Sequence, residues 1–429
     1  MLEGLRGSVV LVVAGKVGPA LLDPPSLMIK SIEGGFNVTV PCLGCSSPSL
    51  EYLNFHSSLP GMRLLNTLPA LVAGAYALPT VPIEVTARHN NPTPHCFPFG
   101  SASFLANDFI PPRVSREEWW CPQSMTYGFL GFSYPMEYGC EDEGYDKINR
   151  DFGMMKRDFG ATMARVYLPQ CYTTEIWENL IRAGVNNNMA IVIQVAWPLN
   201  GDALDNWQLT QASILKVLKS GPYAKIAPYV FHSAEFGTEP IGDSDDSLDS
   251  GTDHSPFIAA LANFRAALKP YGIPVGISED WDRPDLMSGP NGTGLGSVGK
   301  QVYENSDLVH AHIMPYYHNN MLESQAWAYI QEQVAWYKEN IKLPTIISET
   351  QWAWDFNILH QGGSNLGFAM CDCGPEQYTH FWRMYDENCL YFKENNIGWF
   401  LHAWLQEGTF DMLMPNGSYA IQDWRPQKC

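Results

Sequence analysis

From about residue 127 the chain alternates between short apolar runs and longer segments whose apolar residues recur at helical spacing. The runs are YGFLGFSYP from Tyr127, ATMARVYLP from Ala161, MAIVIQVAWP from Met189, APYVFHSAEFGTE ending at Glu239, IPVGISED, DLVHAHIMPYY, PTIISET and NIGWFLHAW. MAIVIQVAWP is apolar almost throughout, as a strand covered on both faces of a parallel sheet must be. Helices are expected from Tyr145 to Phe159, from near Thr174, from about Leu209 to Leu218, from Ser255, between Ser324 and Ile341, and from about Glu376 to Glu394. Ser255 followed by Pro256 reads as an N-cap with proline in the first turn. Phe257, Leu261, Phe264 and Leu268 would form the buried face of that helix, and Trp327, Ile330, Val334 and Tyr337 that of the helix before Ile341.

Eight strand-like runs separated by helical ones between residues 127 and 404 predict a (β/α)8 TIM barrel, a fold of about 250 residues. A doubly wound open sheet is the alternative, but no run is followed by the glycine-rich phosphate loop that gives that fold its usual use. The barrel domain is expected over 126–429. Residues 78–125 are rich in Pro, Ser and Asn and read as an irregular leader docked through Trp119 and Trp120. Arg63, the apolar stretch from Leu64 to Val72 and Ala75-Tyr76-Ala77 follow the order of a signal peptide over 62–77, cleaved after Ala77. Residues 1–61 show no periodic pattern and read as an upstream extension of the reading frame; a long genuine leader and a simply buried apolar stretch are the competing readings.

A formal charge of -19 argues against nucleic acid, whose phosphates need clustered Lys and Arg, and suits a monomeric protein with a neutral ligand. The 14 Trp, 20 Tyr and 20 Phe exceed what packing demands, and flat apolar rings stack on sugar faces. Beyond residue 77 eight cysteines remain, an even set compatible with disulfides, and Asn291-Gly292-Thr293 and Asn416-Gly417-Ser418 are glycosylation sequons. Together they suit secretion. Cys42 and Cys45 have the spacing of half a zinc site without a second half. Nothing after the signal is long enough to span a membrane.

Barrel chemistry sits at the carboxyl ends of strands. The residues there are Arg165 and Tyr167, Trp197, Glu239, Glu279 to Trp281, Tyr316 and Tyr317, Glu349 and Trp352, and Trp404. Glu239 and Glu349 each interrupt an apolar strand just before a break, where a carboxylate must be paired or functional. Two such groups are what glycosidic bond cleavage needs, with Glu239 as proton donor and Glu349 as the ionised partner. Glu235 rivals Glu239, since 235, 237 and 239 alternate onto one strand face, but it lies deeper. His310, His312 and His318 could hold a metal on one face, yet no further ligand matches them, so neither metal nor cofactor is expected. No Ser or Cys nucleophile sits on a recognisable elbow.

On these segments the chain resembles glycoside hydrolase family 17, in particular its fungal cell-wall β-1,3-glucanase and glucanosyltransferase-like branch. The likeness runs from about Tyr127 to Trp404. GFSYP and ARVYLPQC are similar to the family's opening strand and Arg-x-Tyr strand, FGTEP to its acid/base strand, IPVGISEDW to its fifth, HIMPYY to its Phe-Pro-Tyr strand, and ISETQW to its nucleophile strand. The resemblance implies a retaining β-glucan hydrolase or transglycosylase with Glu239 as acid/base and Glu349 as nucleophile. It also implies a cleft shaped by Arg165, Tyr167, Trp197, Thr238, Glu279, Trp281, Tyr316, Trp352 and Trp404. Thr238 and His312 stand where Asn is common in the family, Glu279 where Asp is usual, and Gln351 where Gly precedes the Trp. A non-catalytic carbohydrate-binding or wall-associated barrel is the alternative.

Overall fold

Each apolar run becomes one strand of a closed, all-parallel barrel: β1 (Gly128–Pro135), β2 (Met163–Tyr167), β3 (Ala190–Val195), β4 (Phe231–Thr238), β5 (Val275–Glu279), β6 (Val309–His312), β7 (Thr345–Glu349) and β8 (Gly398–Leu401). Strand order follows the chain, and β8 closes on β1 with Gly398 opposite Gly128. This computed structural model describes residues 31–32, 35–36 and 95–429, apart from 101–107, 137–139, 141–143, 198–205, 243–252, 319–320, 356–371 and 427. The signal-like segment 62–77 and Cys42, Cys45 and Cys371 lie outside the described residues. Within a separate unit, Met1–Met62, Ser31–Ile32 pairs antiparallel with Gly35–Phe36.

The helices that follow the strands are α1 (Tyr145–Phe159), α2 (Thr174–Asn187), α3 (Asn206–Ser220), α4 (Ser255–Leu268), α5 (Ser297–Glu304), α6 (Glu323–Asn340) and α7 (Pro375–Glu387), with a short continuation at Cys389–Asn395. In α1, Ile148, Phe152, Met155 and Phe159 line the buried stripe, and Gly160 ends the helix at φ 69°. Three expectations are corrected. The N-cap of α4 is His254, and Asp253 Oδ1, one residue earlier, accepts from the Ser255 N–H at 3.0 Å, so Ser255 is the first helical residue and not the cap. The segment after Glu376 is interrupted at Asn388. Between β5 and β6 lies α5, whose 8 residues are too few to show a helical period. Two glycines let neighbouring strands approach: a Cβ on Gly131 would lie 1.8 Å from the Met163 carbonyl oxygen, and one on Gly276 would lie 2.2 Å from that of Leu308.

Both chain flanks seal this barrel at its lower end. Arg116 donates to the carbonyls of Pro228, Phe231 and His232 where β4 begins, and Trp119 Nε1 donates to Tyr229 O at 2.9 Å. The Cys96–Cys121 disulfide ties this segment into a loop. After β8 the chain runs back along the wall between α7 and α1. Tyr419 packs on Phe159, Asp423 pairs with Arg383, and Trp424 lies against Phe129, Phe159 and Trp382. A disulfide from Cys429 to Cys389 anchors its end, and a third joins Cys140 to Cys171.

Because Trp424 fills the wall where an eighth helix would stand, Trp424→Ala should destabilise the protein by about 3–5 kcal/mol. Urea unfolding is the check. A change below about 1 kcal/mol would show that the tail merely rests on the barrel.

Candidate functional site

At the centre of the barrel Arg165 on β2 is fully buried, and four other strands supply its partners. Its Nε donates to both carboxylate oxygens of Glu235 (β4) at 2.9 and 3.0 Å, Nη2 to Ser278 Oγ (β5) at 2.8 Å, and Nη1 to Ser133 Oγ (β1) at 3.2 Å and Glu349 Oε2 (β7) at 3.1 Å. Gln194 on β3 donates to Glu235 Oε2 at 2.6 Å. Burial raises the Glu235 carboxyl above its ordinary range, against the pull of Arg165 and Gln194. Glu235 is thereby committed to the barrel interior.

Glu239 takes a different course, because β4 does not keep its two-residue alternation. The β4–β5 register shifts between Glu235 and Thr238, Gly237 has φ 88°, and Glu239 itself has φ 44°. This bulge re-aims the strand end. Glu239 N–H donates to Ser278 O at 2.7 Å, and the next residues are held by Glu279, whose Oε2 accepts from Ile241 N at 2.9 Å and Gly242 N at 3.1 Å. Glu239 and Glu349 keep 13% and 12% of their side chains exposed, whereas Glu235 and Glu279 keep 0%. Only the first pair can therefore meet a ligand at the mouth.

One imidazole bridges that pair. His312, at the end of β6, places Nδ1 2.9 Å from Glu239 Oε1 and Nε2 3.5 Å from Glu349 Oε2. Glu349 also has Arg165 at 3.1 Å and His402 Nε2 at 3.8 Å. Burial pushes the Glu349 carboxyl up, but His402, His312 and Arg165 together outweigh it and bring the group down to about 2. His402 itself is lowered by burial and raised further by Glu349 and Glu407, with a net rise. Glu407 accepts a hydrogen bond from Tyr167 Oη and lies 3.9 Å from His402. Arg283 Nη2 lies 3.9 Å from Glu239 Oε2, while its Nε lies 3.6 Å from Glu279.

The other expected site residues divide by burial. Trp197 is half-buried beside Trp207, Phe236 and Phe257. Thr238 is 8% exposed next to Glu239. Trp281, Trp352 and Trp404 are fully buried: Trp352 stacks on Phe381 and donates to Asp372 O, and Trp404 packs among Phe132, Phe159 and Tyr419. No ring face of these three reaches the surface, because each lies in a packed layer behind the strand ends. Tyr316 is buried against Trp352 and Phe410, whereas Tyr317 is half-buried and accepts from Gln351 Nε2 at 3.0 Å. Burial pushes the Tyr317 phenol well up; Gln351 opposes this, and the charges of Glu349, Tyr316 and Glu239 add to it. The three histidines diverge: His310 pairs with Ser233, His312 with Glu239, and His318 with Asp280. Among the described residues no cluster of His, Cys, Asp or Glu is arranged to hold a metal ion. The contributions of His402, Glu407 and Arg283 were missed in the sequence, although His402 stands at the end of the eighth apolar run, the position that marked the others.

No family model matches the chain, and no curated protein matches it. Among solved structures it is similar to a glycoside hydrolase family 17 β-1,3-glucanosyltransferase from Rhizomucor miehei, at 14% identity over 68% of this chain and 95% of that one, TM-score 0.47. It is also similar to CJP38, a β-1,3-glucanase and allergen of Cryptomeria japonica pollen, at 13% identity over 68% and 97%, TM-score 0.47. A third is a β-mannanase from Streptomyces thermolilacinus with mannohexaose, at 14% identity over 67% and 83%, TM-score 0.40. Such distant likenesses transfer no residue roles.

Two consequences can be measured. Removing the buried cation leaves Glu235 and Glu349 uncompensated, so Arg165→Met should cost about 3–5 kcal/mol, and adding Glu235→Leu should recover part of it. Chemical denaturation of both variants decides; a double variant weaker than the single one would contradict the pairing. The second concerns pH. Glu349 is ionised down to about 2, so its contribution to stability is present above the ordinary carboxylate range and is lost as pH falls toward 2. Burial raises Glu279 and Asp411 to about 7, so their contribution is full below the ordinary range and is lost as pH rises through 7. Burial also keeps His232 and His310 neutral down to about 3, which acts in the opposite sense up to the ordinary histidine range, so the carboxyl contribution is read by difference: between about pH 5 and pH 8 Glu279→Gln should lose less melting temperature than the unaltered protein. A variant with the same pH dependence as the unaltered protein would contradict the protonated state of Glu279.

Proposed function

We propose that the protein is a secreted retaining glycoside hydrolase acting on β-glucan, β-1,3-glucan foremost, which hydrolyses or transfers glycosyl units without a cofactor. The observation that carries this is the unequal environment of the two mouth carboxylates. Glu349 is held ionised by Arg165, His312 and His402, while Glu239 faces the neutral side of the same imidazole. One is fitted to attack, the other to carry a proton.

In this scheme Glu349 Oε2 is anchored by Arg165, which leaves Oε1 to attack the anomeric carbon. Glu239 protonates the departing glycosidic oxygen, and a glycosyl ester forms on Glu349. Glu239 then takes a proton from water, giving hydrolysis, or from a sugar hydroxyl, giving transfer. Trp197 offers an aromatic surface at the rim, Thr238, Tyr167 and Tyr317 offer polar groups, and Glu279 holds the turn that presents Glu239. Trp281, Trp352, Trp404 and Tyr316 support the cleft from behind. Secretion is supported by the three disulfides found among the described residues and by the exposure of Asn291 and Asn416. Cleavage after Ala77 remains part of the proposal. No helix among the described residues is long and apolar enough to cross a membrane.

Incubation with β-1,3-, β-1,4- and β-1,6-linked oligosaccharides, with NMR of the first anomer released, tests the reading. Shortened products of retained configuration are expected, with lengthened ones if transfer competes. Glu349→Ala should abolish turnover while leaving the melting transition cooperative. Glu239→Ala should lower rates by about 10²–10⁴-fold on natural linkages and less on aryl glycosides whose leaving group needs no proton. The acid limb of kcat/KM should lie near pH 2, where Glu349 protonates, and His402→Gln should move it upward. Full activity in Glu349→Ala would refute the assignment, and binding without products would point to a carbohydrate-binding barrel instead.

A further inference from the structure

His312 is buried, and burial, joined by Arg165, lowers its basicity although Glu349, Glu279 and Glu235 pull the other way, a direction that favours the neutral ring with one N–H and one lone pair. It can donate on one side only. On the Nδ1 side lies Glu239 Oε1 at 2.9 Å; on the Nε2 side lie Ser278 Oγ at 2.5 Å and Glu349 Oε2 at 3.5 Å.

The surrounding hydroxyls decide which nitrogen holds the proton. Arg165, always a donor, fills one lone pair of Ser278 Oγ at 2.8 Å. Ser278 Oγ stands 3.0 Å from Ser348 Oγ, and Ser348 Oγ donates to Ala311 O at 3.4 Å. With Ser348 donating onward, Ser278 donates to Ser348, and its second lone pair accepts an N–H from His312 Nε2. The same N–H faces the Glu349 carboxylate. Nδ1 is then an acceptor, and the hydrogen between it and Glu239 belongs to the carboxyl.

We propose that His312 is a positioning residue: with its single ring proton on Nε2, it holds Glu239 protonated and Glu349 ionised in the resting protein. The roles of the two glutamates rest on the function proposed above; the state of the ring does not. In the first step the Glu239 O–H bond and the glycosidic C–O bond break as the leaving O–H and the Glu349 ester form. In the second, the acceptor's proton returns to Glu239 as the ester is released, which restores the pairing across the ring. Other groups also bear on it. Glu239 faces Arg283 from the segment after β5 and Tyr317 from the turn after β6, and His312 faces Arg165, Glu235, Glu279, Glu349 and the neighbouring His310.

The ring state can be read in the free, full-chain protein by nitrogen NMR of labelled histidine, with the His312 signal assigned by its loss in His312→Gln. A neutral ring protonated at Nε2 near pH 6 is expected; a ring protonated at Nδ1, or an imidazolium, overturns the proposal. In the pH profile of kcat/KM on a β-1,3-linked oligosaccharide, His312→Phe should bring the alkaline limb down by about one pH unit, because the acceptor that retains the Glu239 proton is gone. His312→Gln, whose amide can donate on one side and accept on the other, should restore most of the limb. An unmoved limb in a folded His312→Phe protein also overturns it. If the unaltered protein yields no products from any sugar, the glycosidase reading fails, while the NMR measurement still decides the ring state.

Discussion

The guanidinium of Arg165 sits where no water reaches it, so its charge and its donors must be met by protein atoms. They are met by Ser133, Glu235, Ser278 and Glu349, one from each of four strands around the barrel. A single side chain therefore fixes the mutual positions of β1, β2, β4, β5 and β7 at the level where the barrel opens. It also sets the electrostatics above it. Glu235 absorbs one face of the cation deep in the barrel, and Glu349 takes another face nearer the mouth. Without that cation only His402 and His312 would remain to oppose the burial of the Glu349 carboxyl.

Much of the architecture was legible because parallel strands covered on both faces read as unbroken apolar runs, and all eight runs became strands. The helix expected around Tyr145 to Phe159 is found there, its amphipathic stripe ending in a left-handed glycine. The features that escaped are those without a period. Helix α5 is too short for one, and the final wall of the barrel is an extended tail whose fit depends on Tyr419 and Trp424 meeting residues of α1, α7 and β1. Such contacts are set by tertiary packing, which local spacing does not record.

The site was legible in its acids more than in its aromatics, for a physical reason. A carboxylate in an apolar strand end demands an explanation, whereas a tryptophan there is equally at home in the packing layer behind the strand. Trp281, Trp352 and Trp404 took the second option. Tyr316 and Tyr317 show the same ambiguity at neighbouring positions, since Pro315–Tyr317 forms a tight helical turn in which the two-residue alternation of a strand no longer says which ring turns inward. His402 stood at the end of the eighth apolar run and acts on Glu349, whereas Glu407 meets His402 from beyond the last strand, where no sequence pattern constrains it.

Glu235 and Glu239 illustrate how little separates a structural carboxylate from a candidate catalytic one. Strict alternation would put both on one face of β4, and the interior has already filled that face with Arg165 and Gln194. A second inward carboxylate would have met no further cation. The register shift after Glu235, the left-handed backbone at Gly237 and Glu239, and the grip of Glu279 on the next two amides break the alternation and turn Glu239 toward His312 instead. A non-glycine residue at φ 44° is held against its own preference, by its own N–H bond to Ser278 O and by the bonds of the next amides, Ile241 and Gly242, to the Glu279 carboxyl. The placement of Glu239 is thus built into the sheet itself. This gives Glu279 its place away from the mouth: it secures the turn, and the turn presents Glu239.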